Sequence, residues 1–383
     1  MPKPHNNVNF QLRRSTLAWL RARSPRAPLL RDAFAIALLA AAACGGYAEN
    51  DGPSGRLITS MGLAINLSTH KVYAVDETSD TVLVTDEQTG ATRAVKVGDG
   101  PIAVAINQAT NRAYVVNTDS NSISVIDGRQ DTVIATIQGG SHPYVVSVNE
   151  KTNKIYVTYT YDNVVTVIDG ATNSTEVLKT GSADGIAVDS RSNTLFLTTY
   201  EDPDIRIVNA ESGGMSKVRV GAHLWGIALD EPANTLYLAH TGTAEIVGLN
   251  VETHEVYTIP VGEIPCAVAV NPTTHLVYVV NYGDETVSTI DATKARVVAT
   301  LHVGKHPQAV AIDMATNRIY VANVHSDSVT VIDGAKNAII GTYGAGDNPY
   351  AVAVDATVGR VYAANFGAPA ATKVEAPPIA IRK

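Results

Sequence analysis

Histidine is the residue type in this chain best suited to hold a transition metal. Five of the ten histidines fall in or beside turns that the repeat described below places on one face: His142, His223, His240, His306 and His325. Two pairs, His223 with His240 and His306 with His325, could approach within one structural unit. No spacing among the five forms a local ligand motif, so solvated turn histidines are the alternative to a metal site.

Other catalytic patterns are missing from the sequence. It contains no Gly-x-Ser-x-Gly, no His-Glu-x-x-His, no phosphate-binding Gly-Lys-Ser/Thr and no Cys-x-x-Cys. The acidic pairs Asp202/Asp204 and Asp284/Glu285 are typical of turns rather than of paired acid and base groups. Cys266 lacks an identifiable His or Asn context and is interpreted as a half-buried small residue. We therefore expect no catalytic set, no metal and no cofactor.

The residues that could bind a ligand must be positioned by a repeat. One aromatic residue returns every 40 to 42 residues, each time after a turn rich in Thr, Ser and Asn and before a short apolar run. These residues are Tyr73, Tyr114, Tyr156, Phe196, Tyr237, Tyr278, Tyr320 and Tyr362. Self-similarity at this period predicts a solenoid or a propeller.

Each repeat supplies four short β-strands. The first alternates small and large residues, as in residues 267–270 and 309–312, which suits an innermost strand where neighbouring units converge. The second carries Tyr-Val-x-Asn at 114–117, 278–281 and 320–323. The third ends in Val-Ile-Asp, and the Asp begins a turn to the outer strand.

These motifs resemble the YVTN-type β-propeller repeats of prokaryotic surface and periplasmic proteins. The resemblance covers roughly residues 57–366, and it weakens in the fourth and fifth repeats, where residues 196–199 and 237–240 replace the motif. It implies an all-β propeller of four-stranded antiparallel blades. It also implies a binding or surface role without a shared catalytic set.

Eight blades are favoured over seven, because eight first and second strands can be recognised but only seven clear third and fourth strands. The simplest closure pairs the N- and C-terminal strands in the last blade. In that arrangement residues 56–60 form its outer strand and residues 371–375 its third strand. Such a closure removes exposed sheet edges.

In a propeller, ligands usually bind over the axial funnel, at the face where the turns into the innermost strands emerge. The residues that open these strands vary between blades, whereas scaffold positions repeat. We predict a ligand site at Tyr144, Asp184, Trp225, Gln308 and Tyr350. The alternative is sequence drift at exposed turns, and Met61, Ile102 and Cys266 occupy the same column.

The N-terminus has the pattern of an export signal. Six arginines precede an apolar run at residues 33–43, which is too short to cross a bilayer as a helix. Cys44 follows three alanines and precedes two glycines, as in a bacterial lipobox, so we list it as a candidate lipidation site. Ordinary cleavage near Ala43 or Ala48 and an uncleaved anchor are the alternatives.

The predicted domains are a signal peptide at 1–43, a linker at 44–55 and one propeller at 56–383. Without the signal, 22 Lys and Arg oppose 36 Asp and Glu. An acidic protein without basic clusters is not expected to bind nucleic acid. If Cys44 is lipidated or removed, Cys266 has no disulfide partner.

The sequence thus predicts an exported, non-enzymatic binding or scaffolding module of the cell envelope. Its expected location is periplasmic, lipid-anchored or secreted, and its partner a glycan, a peptide or an envelope protein. Membrane contact is expected only through a lipid on Cys44. The alternative is a metal-assisted hydrolase or lyase that uses His142, His223, His240 and His306 at the funnel mouth.

Overall fold

The computed structural model describes residues 49–51, 56–58, 62–366 and 370–376, the first two segments as backbone only. The predicted signal peptide at 1–43, the candidate lipidation site Cys44 and Met61 lie outside the described residues. Among the described residues, no helix is long and apolar enough to span a bilayer.

The described chain is almost entirely β, and it forms eight consecutive antiparallel sheets in which each sheet is one contiguous stretch of sequence. The predicted eight-bladed propeller is therefore confirmed. Within a blade, sequence order is also spatial order. Because the first strands of neighbouring blades contact one another, the first strand of each repeat is innermost.

The first four blades run from residue 63 to residue 219. Blade 1 contains β3 (Leu63–Asn66), β4 (Lys71–Asp76), β5 (Thr81–Asp86) and β6 (Thr92–Lys96). Blade 2 contains β7 (Pro101–Asn107), β8 (Arg112–Asn117), β9 (Ser122–Asp127) and β10 (Thr132–Gln138). Blade 3 contains β11 (Pro143–Asn149), β12 (Lys154–Tyr159), β13 (Val165–Asp169) and β14 (Thr175–Leu178). Blade 4 contains β15 (Gly185–Asp189), β16 (Thr194–Thr198), β17 (Asp204–Asn209) and β18 (Met215–Arg219).

The last four blades run from residue 224 to residue 374. Blade 5 contains β19 (Leu224–Asp230), β20 (Thr235–His240), β21 (Glu245–Asn250) and β22 (Val256–Pro260). Blade 6 contains β23 (Pro265–Asn271), β24 (Leu276–Asn281), β25 (Thr286–Asp291) and β26 (Arg296–His302). Blade 7 contains β27 (Pro307–Asp313), β28 (Arg318–Asn323), β29 (Ser328–Asp333) and β30 (Ala338–Gly344). Blade 8 contains β31 (Pro349–Asp355), β32 (Arg360–Asn365) and β33 (Ala371–Val374).

The repeating aromatic residue forms the core between blades. Seven of the eight, from Tyr73 to Tyr320, are at most 1% exposed, and Tyr362 is 6% exposed. Tyr278, for example, packs with Ala267 and Ala269 of its own blade and with Val310 of blade 7. Burying an aromatic ring in every blade makes a large apolar contribution to the free energy of folding, which explains why this position is aromatic in all eight repeats.

Ring closure differs from the prediction in one strand. Residues 371–374 do form the third strand of blade 8, paired with β32. The expected outer strand does not: β2 (Arg56–Ile58) pairs with β1 (Glu49–Asp51) in a separate two-stranded sheet. Among the described residues, blade 8 therefore has three strands.

Blade 1 and blade 8 meet through side chains instead. Blade 1 supplies all four of its own strands, so no strand from the N-terminus is needed to complete it. Leu63 and Ile65 of β3 pack against Ala351, Ala353 and Tyr362 of blade 8 in one buried cluster. This seam resembles the packing of the other seams, and packing closes the ring without strand exchange.

Candidate functional site

One face of the propeller carries the predicted site residues, and we call it the mouth face. In the antiparallel pairing, the start of each inner strand lies beside the end of the second strand, as Pro143 does beside Tyr159 and Pro307 beside Asn323. The turns into the inner strands and the turns between the second and third strands therefore emerge together. The remaining two kinds of turn emerge on the opposite face.

The turns into the inner strands have a special backbone shape. The residue directly before the inner strand has positive φ in six blades, where it is glycine, asparagine, isoleucine or histidine: Gly100, His142, His223, Ile264, His306 and Asn348. Histidine and asparagine tolerate this left-handed region better than most side chains. The left-handed backbone at these positions thus partly explains why His142, His223 and His306 are histidines.

The preceding blade holds several of these turns in place. The backbone N–H of His142 donates to Oδ1 of Asn121 at 2.8 Å, and the N–H of Asn348 donates to Oδ1 of Asp327 at the same distance. Gly100 and Asp80 form the same bond at 3.0 Å. Side chains that these turns carry are therefore fixed relative to two blades.

The most complete aromatic group on the mouth face is the Trp225 cluster, which we define as Tyr200, His223 and Trp225. The Tyr200 ring lies edge-on to both partners, with centroid distances of 4.9 Å to His223 and 5.3 Å to Trp225. Tyr200 is 37% exposed, while Trp225 is half-buried and packs on the core beside Cys266. This cluster spans blades 4 and 5. It combines flat aromatic rings with the polar groups of tyrosine, histidine and tryptophan.

Asp184 adjoins this cluster. Its Oδ2 accepts a hydrogen bond of 2.9 Å from the backbone N–H of Tyr200. Burial raises the pKa of Asp184, although the Tyr200 hydrogen bond and the Arg206 charge oppose the rise. The structure thus brings two predicted residues, Asp184 and Trp225, to one surface with Tyr200 between them.

The His306 cluster, defined as Tyr282, His306 and His325, spans blades 6 and 7. The His306 ring lies 4.7 Å from Tyr282 and 4.3 Å from His325, measured between centroids. Burial lowers the pKa of His306, and the neighbouring His325 lowers it further. His306 therefore favours its neutral form, which presents an aromatic surface with one donor and one acceptor.

His223 and His240 also approach each other, since both lie within 4 Å of the position that a Cβ on Gly242 would take. Burial lowers the pKa of His240 as well. The structure thus brings together both histidine pairs that the sequence suggested.

Two further ring pairs complete the mouth face. His142 packs edge-on against Tyr161 at 4.9 Å, and Tyr350 lies 4.5 Å from Phe366. The hydroxyl end of Tyr350 covers Gly62, where a Cβ would come within 1.9 Å of the hydroxyl oxygen. Tyr350 is half-buried, whereas Phe366 and Tyr161 are exposed.

The remaining predicted residues, Tyr144 and Gln308, are almost completely buried. Tyr144 is 6% exposed and Gln308 is 4% exposed. Cys266, in the same column, is fully buried rather than half-buried, and its thiol points toward the carbonyl oxygens of Pro307 and Gln308. Of the five predicted residues, Asp184, Trp225 and Tyr350 are thus partly accessible.

Sequence reasoning missed three exposed aromatic residues of this face: Tyr161, Tyr200 and Phe366. Each follows the last residue of a second strand by one to two positions. The sequence did carry a signal for these residues, because Tyr282, one position after β24, is a fourth aromatic residue in the same kind of turn.

The asparagine column next to these turns is structural. The side-chain amide of Asn117 donates to Ser122 at 3.1 Å and to Ser124 at 3.0 Å, which ties the second strand to the third. Asn281 forms the equivalent pair of bonds with Thr286 and Ser288. Because these asparagines are fully buried, they position the turns and do not face a ligand.

The part of the chain that the structure describes contains one group of three potential metal ligands close enough to share an ion. It consists of His70, Glu87 and Asp355. This group lies on the face opposite the mouth. His70 lies in the turn between the first and second strands of blade 1, Glu87 in the turn between its third and fourth strands, and Asp355 at the end of the inner strand of blade 8. The described histidines of the mouth face form pairs without a third ligand of this kind.

The comparisons with known proteins show the fold. No family model and no curated protein matches the chain. Among solved structures, hydrazine synthase of Kuenenia stuttgartiensis is 16% identical, with a TM-score of 0.58, over 84% of this chain and 98% of that chain. Dihydro-heme d1 dehydrogenase NirN in complex with DHE is 10% identical, with a TM-score of 0.66, over 92% of this chain and 78% of that chain. The Cps50 (Swd1) β-propeller domain of Myceliophteria thermophila is 9% identical, with a TM-score of 0.58, over 73% and 96%.

Proposed function

We propose that this protein is an exported binding module whose mouth face binds a glycan. The observation that carries the proposal is the Trp225 cluster with Asp184 beside it. Sugar rings have flat C–H faces that suit aromatic side chains and hydroxyl edges that suit carboxylates and imidazoles. Tyr200, His223 and Asp184 supply both kinds of surface within one patch.

A glycan fits this surface better than an extended peptide does. Peptides commonly bind by adding a strand to a free sheet edge, and the inner strands at the mouth are paired within their blades and packed against their neighbours. The chain without residues 1–43 is also strongly acidic, which favours a neutral ligand over an anionic one. A peptide or an envelope protein remains an outcome of the test.

Export rests on the arginine-rich start and the apolar run at 33–43. In this proposal the mature protein begins at or shortly after Cys44, in the periplasm, on a lipid anchor or outside the cell. Intact-mass measurement of the protein from a bacterial envelope fraction should give an N-terminus between Cys44 and Glu49, with or without acyl groups on Cys44. A soluble cytoplasmic product that retains residues 1–43 would contradict export.

Two of the three similar structures are named as enzymes, so we infer function from the site and not from the fold. The histidine pairs favour a metal-assisted reaction as the second candidate. Metal analysis of a His223→Asn/His306→Asn double variant tests it. If the wild type holds stoichiometric metal and this variant loses it, the result favours the enzyme over the binding module.

The binding test is a screen of the purified protein on a glycan array and on a peptide array, followed by calorimetry with the best ligand. We expect Trp225→Ala to weaken glycan binding by about 1–3 kcal/mol, as for a central aromatic anchor. Met215→Ala is the control, because Met215 is exposed on the outer strand β18. Unchanged affinity in Trp225→Ala, or binding to peptides only, would contradict the proposal.

Tyr144→Ala separates binding from packing. Tyr144 is buried, so its truncation should lower the melting temperature strongly. Trp225 packs partly on the core, so Trp225→Ala should lower it less. If both variants lose stability and neither changes affinity for any ligand, these aromatic residues belong to the packing.

A further inference from the structure

Glu87 breaks a rule of the repeat on the face opposite the mouth. The residue after the third strand is otherwise small or apolar: Gly128, Gly170, Ala210, Val251, Ala292 and Gly334. The position is structurally equivalent, because the N–H of Glu87 donates to the carbonyl oxygen of His70 at 2.9 Å, as Gly128 does to Asn111. Among the seven blades with four described strands, only blade 1 places a charged side chain here.

The other seams show why the position is usually small. A Cβ on Gly128 would come within 2.7 Å of the Tyr73 hydroxyl and 2.3 Å of the Asn111 side-chain oxygen. In four of the other seams, an asparagine that ends the inner strand of the preceding blade donates to that left-handed asparagine, as Asn66 donates to Asn111 at 2.7 Å. A neutral amide pair thus bridges adjacent blades.

The seam between blades 8 and 1 replaces the amide pair with ionisable groups. His70 takes the place of the left-handed asparagine, with φ of 54°, and Asp355 ends the inner strand of blade 8. His70 Nδ1 lies 2.8 Å from Asp355 Oδ2 and 4.0 Å from Glu87 Oε2. One nitrogen and two carboxylate oxygens thus converge, all within 4.8 Å of one another.

The two carboxylates are buried, with side-chain exposures of 0%, while His70 is 23% exposed. Neither oxygen of Glu87 has a partner at ordinary hydrogen-bond geometry among the described residues, although the Asp355 carboxyl and the Tyr362 hydroxyl lie close to it. Burial, with the neighbouring Asp355 carboxyl, raises the pKa of Glu87 to about 8. A buried carboxylate without a donor is costly unless a proton neutralises it or a cation compensates it. The Glu87 carboxyl therefore lies beside the His70 imidazole, a common metal ligand, without a partner at hydrogen-bond distance.

We propose that His70, Glu87 and Asp355 bind a divalent transition-metal ion, with Zn²⁺ as the probe, that joins the last blade to the first. Imidazole and carboxylate ligands are common for zinc, at about 2.0–2.2 Å from the metal. Tetrahedral ligands at that distance lie about 3.3–3.5 Å apart. Side-chain shifts of about 1 Å reach this spacing from the observed one.

Asp355 is already oriented for such a role. The N–H of Thr357 donates to Oδ1 of Asp355 at 2.8 Å, and the Thr357 hydroxyl donates to the same oxygen. Oδ2 is left facing His70. Bonds of this kind, which orient a ligand, typically change metal affinity 10- to 100-fold. Thr357 is thus a positioning residue for the site.

The repeat supplies a matched control seam between blades 5 and 6. Asp230 ends an inner strand and His275 has positive φ, as Asp355 and His70 do. Ala292 occupies the position of Glu87, and its N–H donates to the carbonyl oxygen of His275. This seam has the histidine and the aspartate but lacks the third ligand.

The experiment uses the protein freed of metal by a chelator, with Zn²⁺, Mn²⁺ and Ca²⁺ titrated by calorimetry and melting curves recorded with and without each ion. We expect one Zn²⁺ per chain and a higher melting temperature in its presence. Glu87→Gln should weaken Zn²⁺ binding at least about tenfold, and Thr357→Val about 10- to 100-fold. His275→Asn should leave the affinity and the stoichiometry unchanged.

A triple variant guards against misfolding of single variants. The His70→Asn/Asp355→Asn/Glu87→Gly variant recreates the neutral amide pair of the seam between blades 1 and 2. We expect it to fold and to lose both Zn²⁺ binding and the zinc-dependent rise in melting temperature. Equal Zn²⁺ binding in the triple variant, loss of binding in His275→Asn, no Zn²⁺ bound by the wild type, or preference for Ca²⁺ would overturn the proposal.

Discussion

The closeness of the inner strands can be tested at Gly226, next to Trp225. A Cβ at this position would lie 2.7 Å from the carbonyl oxygen of Cys266, 3.1 Å from Cα of Ala267 and 3.2 Å from the amide nitrogen of Val268. All three atoms are backbone of the adjacent inner strand β23, so no rotamer change relieves the contact. Gly226→Ala must therefore push blades 5 and 6 apart.

The expected cost follows from two opposing effects. Overpacking in a dense core typically costs about 1–3 kcal/mol. Replacing glycine by alanine also restricts the unfolded chain, which favours folding by about 0.4–1 kcal/mol. The net expectation for Gly226→Ala is a loss of about 1–2 kcal/mol.

Gly344→Ala is the matched control, because a Cβ there would meet nothing within 4 Å. It should be neutral or stabilise the protein by up to about 1 kcal/mol. The assay is equilibrium unfolding in guanidinium chloride, followed by circular dichroism and by fluorescence, with coincident transitions as the check on two-state behaviour. A Gly226→Ala protein as stable as Gly344→Ala would refute the reasoning about the inner strands.

Three further predictions concern single side chains. Ile264 has φ of 50°, which is strained for a β-branched residue, so Ile264→Asn should raise the free energy of unfolding by about 1 kcal/mol; a loss in guanidinium unfolding would contradict this. Asn193 accepts hydrogen bonds from Asn149 at 2.8 Å and from Tyr156 at 2.6 Å. Asn193→Ala should therefore lower the free energy of unfolding by about 2–4 kcal/mol and Tyr156→Phe by about 1 kcal/mol, and equal losses in guanidinium unfolding would argue against the shared acceptor. The His306 imidazole should titrate by NMR below the ordinary histidine pKa of about 6.5, and His325→Asn should move the midpoint upward; an unmoved midpoint would exclude the His325 contribution.

The sequence predicted the fold well because the packing repeats. One buried aromatic per 40 to 42 residues marks every blade seam, and the burial of Tyr73 through Tyr320 shows why that column does not vary. The third strand of blade 8 was also predicted. The prediction of its outer strand was wrong, because residues 56–58 pair with residues 49–51. The sequence pattern of residues 56–58 does not specify which strand they pair with.

The candidate site was predicted less completely. The alignment placed the correct turns on one face, but Tyr144 and Trp225 share a column and differ in burial. That difference depends on the side chains of adjacent blades, which a single repeat does not reveal. Glu87 could have been found, because it is the charged member of a column of small and apolar residues.

The most direct test of the mouth-face claim is the fluorescence of Trp225 during titration with the best glycan from the array. The chain has two tryptophans, Trp19 and Trp225, so a protein that begins at Cys44 contains only the one in the proposed site. We predict a saturable change in emission and reduced quenching by acrylamide, with the midpoint equal to the calorimetric Kd. Saturable binding by calorimetry that leaves the emission and quenching of Trp225 unchanged would place the ligand elsewhere and contradict the account.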